Sequence, residues 1–170
     1  MDSLVAACLV WAIGSGAVLA EVAMLEHFRC DTVEGVITRS GLTLDPAVSE
    51  ENKSSLRLTA DEPTVFRLLE IKGTGIDNAR LIYRATLKTR DLKGRAYLEM
   101  WCYLPGKGAY FSRGFNQALM GANDWTIEEI SFFLRKGDKP ELVKLNLVVN
   151  GTGTVWVDDI KLLQGPIDRT

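Results

Sequence analysis

Two stretches of strict alternation limit what this chain can fold into. From Ala79 to Thr89, Leu81, Tyr83, Ala85 and Leu87 fall on one side, and Arg80, Arg84, Thr86 and Lys88 on the other. From Arg95 to Leu104, Ala96, Leu98, Met100, Cys102 and Leu104 oppose Tyr97, Glu99, Trp101 and Tyr103. A two-residue repeat belongs to a β-strand with one face turned to a core. Gly94 marks the turn between the two. Glu141 to Asn150 repeats the pattern with Val143, Leu145, Leu147 and Val149 inward. The glycines of Asn150-Gly151-Thr152-Gly153 then read as a tight connection to a last strand, Thr154 to Leu163.

Shorter strand candidates are 35–39, 42–44, 55–59 (Leu56 and Leu58 inward), 64–71 and 125–134, with a polar loop at 45–55. No stretch after residue 30 holds a 3.6-residue period. About eight or nine short strands at turn-punctuated spacing predict an antiparallel β-sandwich. It is read as one domain over 21–164, with a polar tail at 165–170. Trp125 and Trp156 read as core residues. Cys30 and Cys102 suit either one disulfide or two buried thiols.

The opening segment has a different character. No charge occurs from Leu4 to Ala20, and the run ends in Val18-Leu19-Ala20 before Glu21. That pattern reads as a secretory signal cleaved after Ala20, so the chain is expected to be exported. An uncleaved membrane anchor and a buried helix are the alternatives that its length allows. Asp2 stands where a signal usually carries a cation.

Composition removes several function classes. Lys plus Arg is 20 and Asp plus Glu is 22, a net charge of -2. The chain is therefore not a polybasic nucleic-acid binder, and membrane contact is expected only through the opening segment. There is one histidine, His27, and no phosphate-binding loop, CxxC or HExxH pattern. Asp158-Asp159 and Glu128-Glu129 are adjacent pairs, and neighbours on a regular strand face opposite ways, so neither pair is expected to flank one glycosidic bond. No catalytic residue is assigned.

The segment from Gly151 to Leu163 reads GTGTVWVDDIKLL: a glycine turn, an apolar-aromatic-apolar run, two acids, then branched residues. Asp124-Trp125 with the strand to Leu134, and then Val143 to Val149, precede it. This closing order resembles the galactose-binding-like jelly rolls, which include the carbohydrate-binding modules appended to secreted glycoside hydrolases. The resemblance spans about residues 28–164 and is most specific over 120–163. It implies a jelly-roll sandwich and a structural Ca²⁺ near the chain ends. Its oxygen ligands would come from Asp158 or Asp159, with Glu26, Asp31 or Glu34 opposite.

Sugar recognition needs aromatic platforms and planar polar groups. Arg84, Thr86 and Lys88 face outward, as do Tyr97, Glu99, Trp101 and Tyr103. Tyr110, Phe111, Arg113 and Asn116 follow in a loop, and Lys144 and Asn146 lie on a later polar face. The expected ligand set is Arg84, Glu99, Trp101, Tyr103, Arg113 and Asn146, converging on one patch. In a purely structural domain the same residues would form an Arg84–Glu99 ion pair and a second core layer. The expected function is an exported, non-catalytic binding module for carbohydrate or another polar envelope ligand. A structural or protein-partner domain is the alternative, and a small hydrolase a more distant one.

Overall fold

The computed structural model describes residues 21–167, so the apolar opening segment lies outside the described residues. Eight strands follow in order: β1 (Ala23–Phe28), β2 (Leu42–Asp45), β3 (Ser55–Ala60), β4 (Thr64–Lys72), β5 (Ala79–Leu104), β6 (Gly108–Arg113), β7 (Leu119–Leu134) and β8 (Leu142–Gly165). All pairings are antiparallel. The described residues contain one short 3-10 turn, Phe115–Gln117, and no α-helix.

The strands are longer than their alternating segments suggest. The two strands expected on either side of Gly94 are one strand, β5, and the two on either side of Gly151 are one strand, β8. β5 and β8 form a long ribbon, from Arg80 opposite Gly165 to Tyr103 opposite Leu142. The register shifts between Arg90 and Lys93. There the ribbon folds over, and its two halves enclose one core. Leu81, Tyr83, Ala85 and Leu87 from the first half of β5 share that core with Ala96, Leu98, Met100 and Cys102 from the second half.

Glycine makes the corner possible. A Cβ on Gly151 would lie 1.8 Å from the Lys93 carbonyl oxygen, and one on Gly94 would lie 2.2 Å from that of Asn150. The glycines therefore serve the close approach of two backbones, while hydrogen bonding continues through the bend.

The first layer runs β7, β5, β8 and then β1 and β3, with β2 outside β3. The second runs β6, β5, β8 and β4. Together they make an all-β sandwich in which outward side chains alternate with the core set. β1 and β6 were not expected. β6 lies where a loop is expected, because Tyr110-Phe111 and Arg113 do not alternate clearly by polarity. Residues 35–39 form no strand, although Ile37 and Thr38 donate backbone hydrogen bonds to Leu68 and Arg67 of β4.

Cys30 and Cys102 are free buried thiols. Burial pushes the Cys102 thiol up to about 12. Trp156 is buried, 2% exposed, as expected from sequence, but it lies outside the main core cluster. It faces outward beneath Arg90, and its indole N–H donates to Asp45 at 2.9 Å. Trp125 is only half-buried.

Glu128 stands opposite Ala85 and is buried, and burial raises its pKa above the ordinary 4.5. A carboxyl raised on folding favours the folded state below its unfolded value and loses that contribution as pH rises through the folded value. Glu128→Gln is therefore expected to raise Tm at pH 7, with the gain vanishing below pH 4.5. Thermal melts at the two pH values check this. A lower Tm at pH 7 would show that the charge is compensated.

Candidate functional site

The outer face of the second layer gathers five of the six expected ligand residues. Alternation turns Glu99, Trp101 and Tyr103 outward on β5 while Leu98, Met100 and Cys102 fill the core. Register then sets their neighbours. Glu99 lies opposite Arg113 on β6 and opposite Asn146 on β8, and Arg67 of β4 continues the row beyond Asn146. Trp101 lies between Phe111 and Lys144 in the next row, and Glu70 follows on β4.

Glu99 is the hub of this face. Its Oε1 accepts from Trp101 Nε1 at 2.9 Å and from Asn146 Nδ2 at 3.0 Å. Its Oε2 accepts from Arg113 Nε at 2.5 Å. Only 5% of its side chain is exposed, so three donors compensate a nearly buried carboxylate. This arrangement leaves Glu99 to hold its neighbours in place. It fixes the Trp101 ring, the Asn146 amide and the Arg113 fork in one orientation.

The aromatic surface is built around that hub. Trp101 and Phe111 stand 5.0 Å apart at 48°. The Arg113 guanidinium lies 4.2 Å from the Phe111 ring centroid. Lys144 Nζ sits 4.8 Å above Tyr103 and 3.9 Å from Glu70. Phe111 is 50% exposed, a large apolar surface open to a partner. The Asn146 Oδ1 atom is buried and has no hydrogen-bond partner among the described residues.

Arg84 does not join this group. It projects from the first half of β5, where it pairs with Glu129 at 2.7 Å. The expected Arg84–Glu99 pair therefore does not form, because the fold-over sends the two halves of one strand to different layers. Lys88 likewise pairs with Asp124, whose carboxyl it holds below the usual range. Arg67 was missed from sequence. Nothing local in Thr64–Lys72 shows that β4 lies beside β8, or that a register shift between Arg67 and Leu69 interrupts it.

Three of the five acids assigned to Ca²⁺, Asp31, Asp158 and Asp159, meet hydrogen-bond donors in this structure. Asp158, fully buried, accepts from the Glu50 amide at 3.0 Å, the Asn52 side chain at 2.6 Å and the Asp159 amide at 2.8 Å. Asp159 bonds His27 and Lys161, both at 2.5 Å. Burial works against its ionisation, but these two donors outweigh it and hold the carboxyl below the usual range. Asp31 accepts from the Lys53 and Ser54 amides. Glu26 and Glu34 line a different pocket, with Phe28 and Gly35. Among the described residues no three His, Cys or acidic side chains gather where they could hold a metal. Carboxylates surrounded by N–H donors do not suit a hard cation. Asp31 and Asp158 instead tie residues 50–54 to the sandwich.

Strict alternation fails at Asp158-Asp159. Val157 and Ile160 are both core residues, so two positions lie between them, with Asp159 at φ +54°. A bulge accounts for the count, and neither carboxylate belongs to the core cluster.

No family model and no curated protein matches this sequence. Solved structures do match in fold. The CBM22-1 xylan-binding domain from Paenibacillus barcinonensis Xyn10C aligns with a TM-score of 0.61 and 14% identity, covering 89% of this chain and 99% of that one. The C-terminal family 22 carbohydrate binding module of Clostridium thermocellum Xyn10B aligns with a TM-score of 0.61 and 8% identity, covering 87% and 97%. A Family 16 Carbohydrate Binding Module-2 aligns with a TM-score of 0.53 and 13% identity, covering 72% and 84%. The chain therefore has the sandwich fold of carbohydrate-binding modules over most of its length. At these identities the likeness is one of fold.

Proposed function

We propose that this chain is a non-catalytic carbohydrate-binding module of jelly-roll type that holds a polysaccharide across the outer face of its second layer. The single observation that carries the reading is the Glu99 hub, which fixes Trp101, Arg113 and Asn146 beside the exposed Phe111 ring. Ring platforms take the apolar faces of sugars, and the planar polar groups take hydroxyls. The two family 22 modules support this reading by their fold, and the xylan named for one of them makes xylan the first ligand to test.

Trp101→Ala is expected to weaken xylan binding at least about thirtyfold, a central-anchor loss of about 2 kcal/mol. Calorimetry against soluble xylan, with a melt to check folding, measures this. Unchanged affinity in a folded variant would remove the face from consideration.

The module acts outside the cytoplasm, after removal of the apolar segment that ends at Ala20. Mass spectrometry of the protein recovered from its native host is expected to find Glu21 as the first residue. A retained Met1 would overturn cleavage and leave the anchor and the buried helix.

A further inference from the structure

The second-layer face leaves unused a cavity of about 400 Å³ beside the β6 edge strand. Its apolar walls are Leu104 at the end of β5, Tyr110 on β6, and Phe132 and Phe133 near the end of β7. Lys107, Arg135 and Asp138 supply its polar groups. A pocket of this size, largely aromatic with a few convergent polar groups, has the make-up of a small-molecule site.

Its position relates it to the face already described. Tyr110 and Phe111 are consecutive on an edge strand, so their side chains leave on opposite sides. Phe111 packs on Trp101, while Tyr110 lines the cavity. A single glycan could therefore meet both surfaces by passing around one strand.

The charges in the cavity are unequally engaged. Lys107 is bonded to Asp138, a mostly buried carboxylate, and keeps it below its usual range. The exposed Arg135 guanidinium makes no hydrogen bond or ion pair among the described residues, and it acts on Asp138 only through its field. Two cations against one acid leave the cavity with a net charge of +1. The uncommitted group is a planar fork, the geometry that takes a carboxylate by two parallel hydrogen bonds.

We propose that this cavity binds a carboxylated sugar, a hexuronate branching from or ending a glycan chain. The proposal rests on the reading of the domain as a glycan binder and names an acidic residue within its ligand. The sugar ring packs against Tyr110 and Phe132, and its carboxylate meets Arg135. Lys107 and Asp138 remain for hydroxyl groups. A neutral hexose fills the same walls and leaves Arg135 without a partner.

Sodium glucuronate and glucose, each titrated into the isotope-labelled full chain and followed by NMR, test this. Glucuronate is expected to shift the resonances of Tyr110, Phe132 and Arg135, and glucose to bind at least about tenfold more weakly. Arg135→Gln should erase that preference, and added salt should reduce it. Equal responses to the two sugars, no response to glucuronate, or a preference that survives Arg135→Gln would each overturn the proposal. Neutral xylan is the separate arm. Arg135→Gln should retain its binding and Trp101→Ala should lose it, so a failure of the face reading appears there and not in the glucuronate titration.

Discussion

Gly151→Ala is expected to cost at least about 4 kcal/mol of folding stability, from overpacking and backbone strain together. The new Cβ would sit 1.8 Å from the Lys93 carbonyl oxygen, with its own backbone at φ +152°. The contact is with main chain, so no rotamer change relieves it. Separating the strands there would break the ribbon where both layers begin. A domain with a total stability of about 5–15 kcal/mol would lose a large part of it. Gly121→Ala is the control. Its φ is +69° and nothing lies within 4 Å of the added atom, so it should cost only the left-handed penalty of about 1–2 kcal/mol. Denaturant titration of both variants measures the difference. If the two lost the same amount, the close approach at the corner would carry no weight.

The corner also explains which parts of the fold could be read from the sequence. Alternation sorted inward from outward residues along most of β5 and β8, because burial on a strand repeats every two residues. It failed at Asp158-Asp159, where a bulge inserts a residue. It could not say that Arg84 and Glu99, both outward on one strand, lie on different layers, with the phase switching between them at the corner. That depends on contacts between residues about 57 positions apart, such as Gly94 with Gly151, which no local window contains. Glu99, Trp101, Tyr103 and Arg113 were legible as a group because one strand and its following hairpin carry them. Asn146 was found from its own polar phase. Arg67 was not, since only the β4–β8 register brings it to the row. The acids proposed for Ca²⁺ show the same limit. Residue type suggested oxygen ligands, whereas the loop at 50–54 presents amide donors to Asp158 and Asp31.

Replacing Glu99 by alanine should damage folding and binding together. The substitution leaves the Asn146 amide and the Trp101 indole N–H without the acceptor they share, in a place where Asn146 is 4% exposed. Each buried donor left alone costs about 1–3 kcal/mol, so a stability loss of about 3 kcal/mol is expected. The Arg113 ion pair adds little, because 41% of the arginine side chain is in solvent. Binding should fall as well, since Trp101 and Arg113 lose the group that orients them. Glu99→Gln keeps one acceptor oxygen but turns an amide N–H₂ toward a donor, so it should fall between wild type and Glu99→Ala in both measurements. Trp101→Ala should instead lose affinity with a smaller loss of stability, because its ring contributes contact surface while Glu99 holds the groups around it. Melts and xylan calorimetry on the three variants separate these roles. A Glu99→Ala protein within about 0.5 kcal/mol of wild type, the range of an ordinary surface change, would mean that the three donors find water as readily as they find the carboxylate. The face would then be a set of independent side chains with no common support.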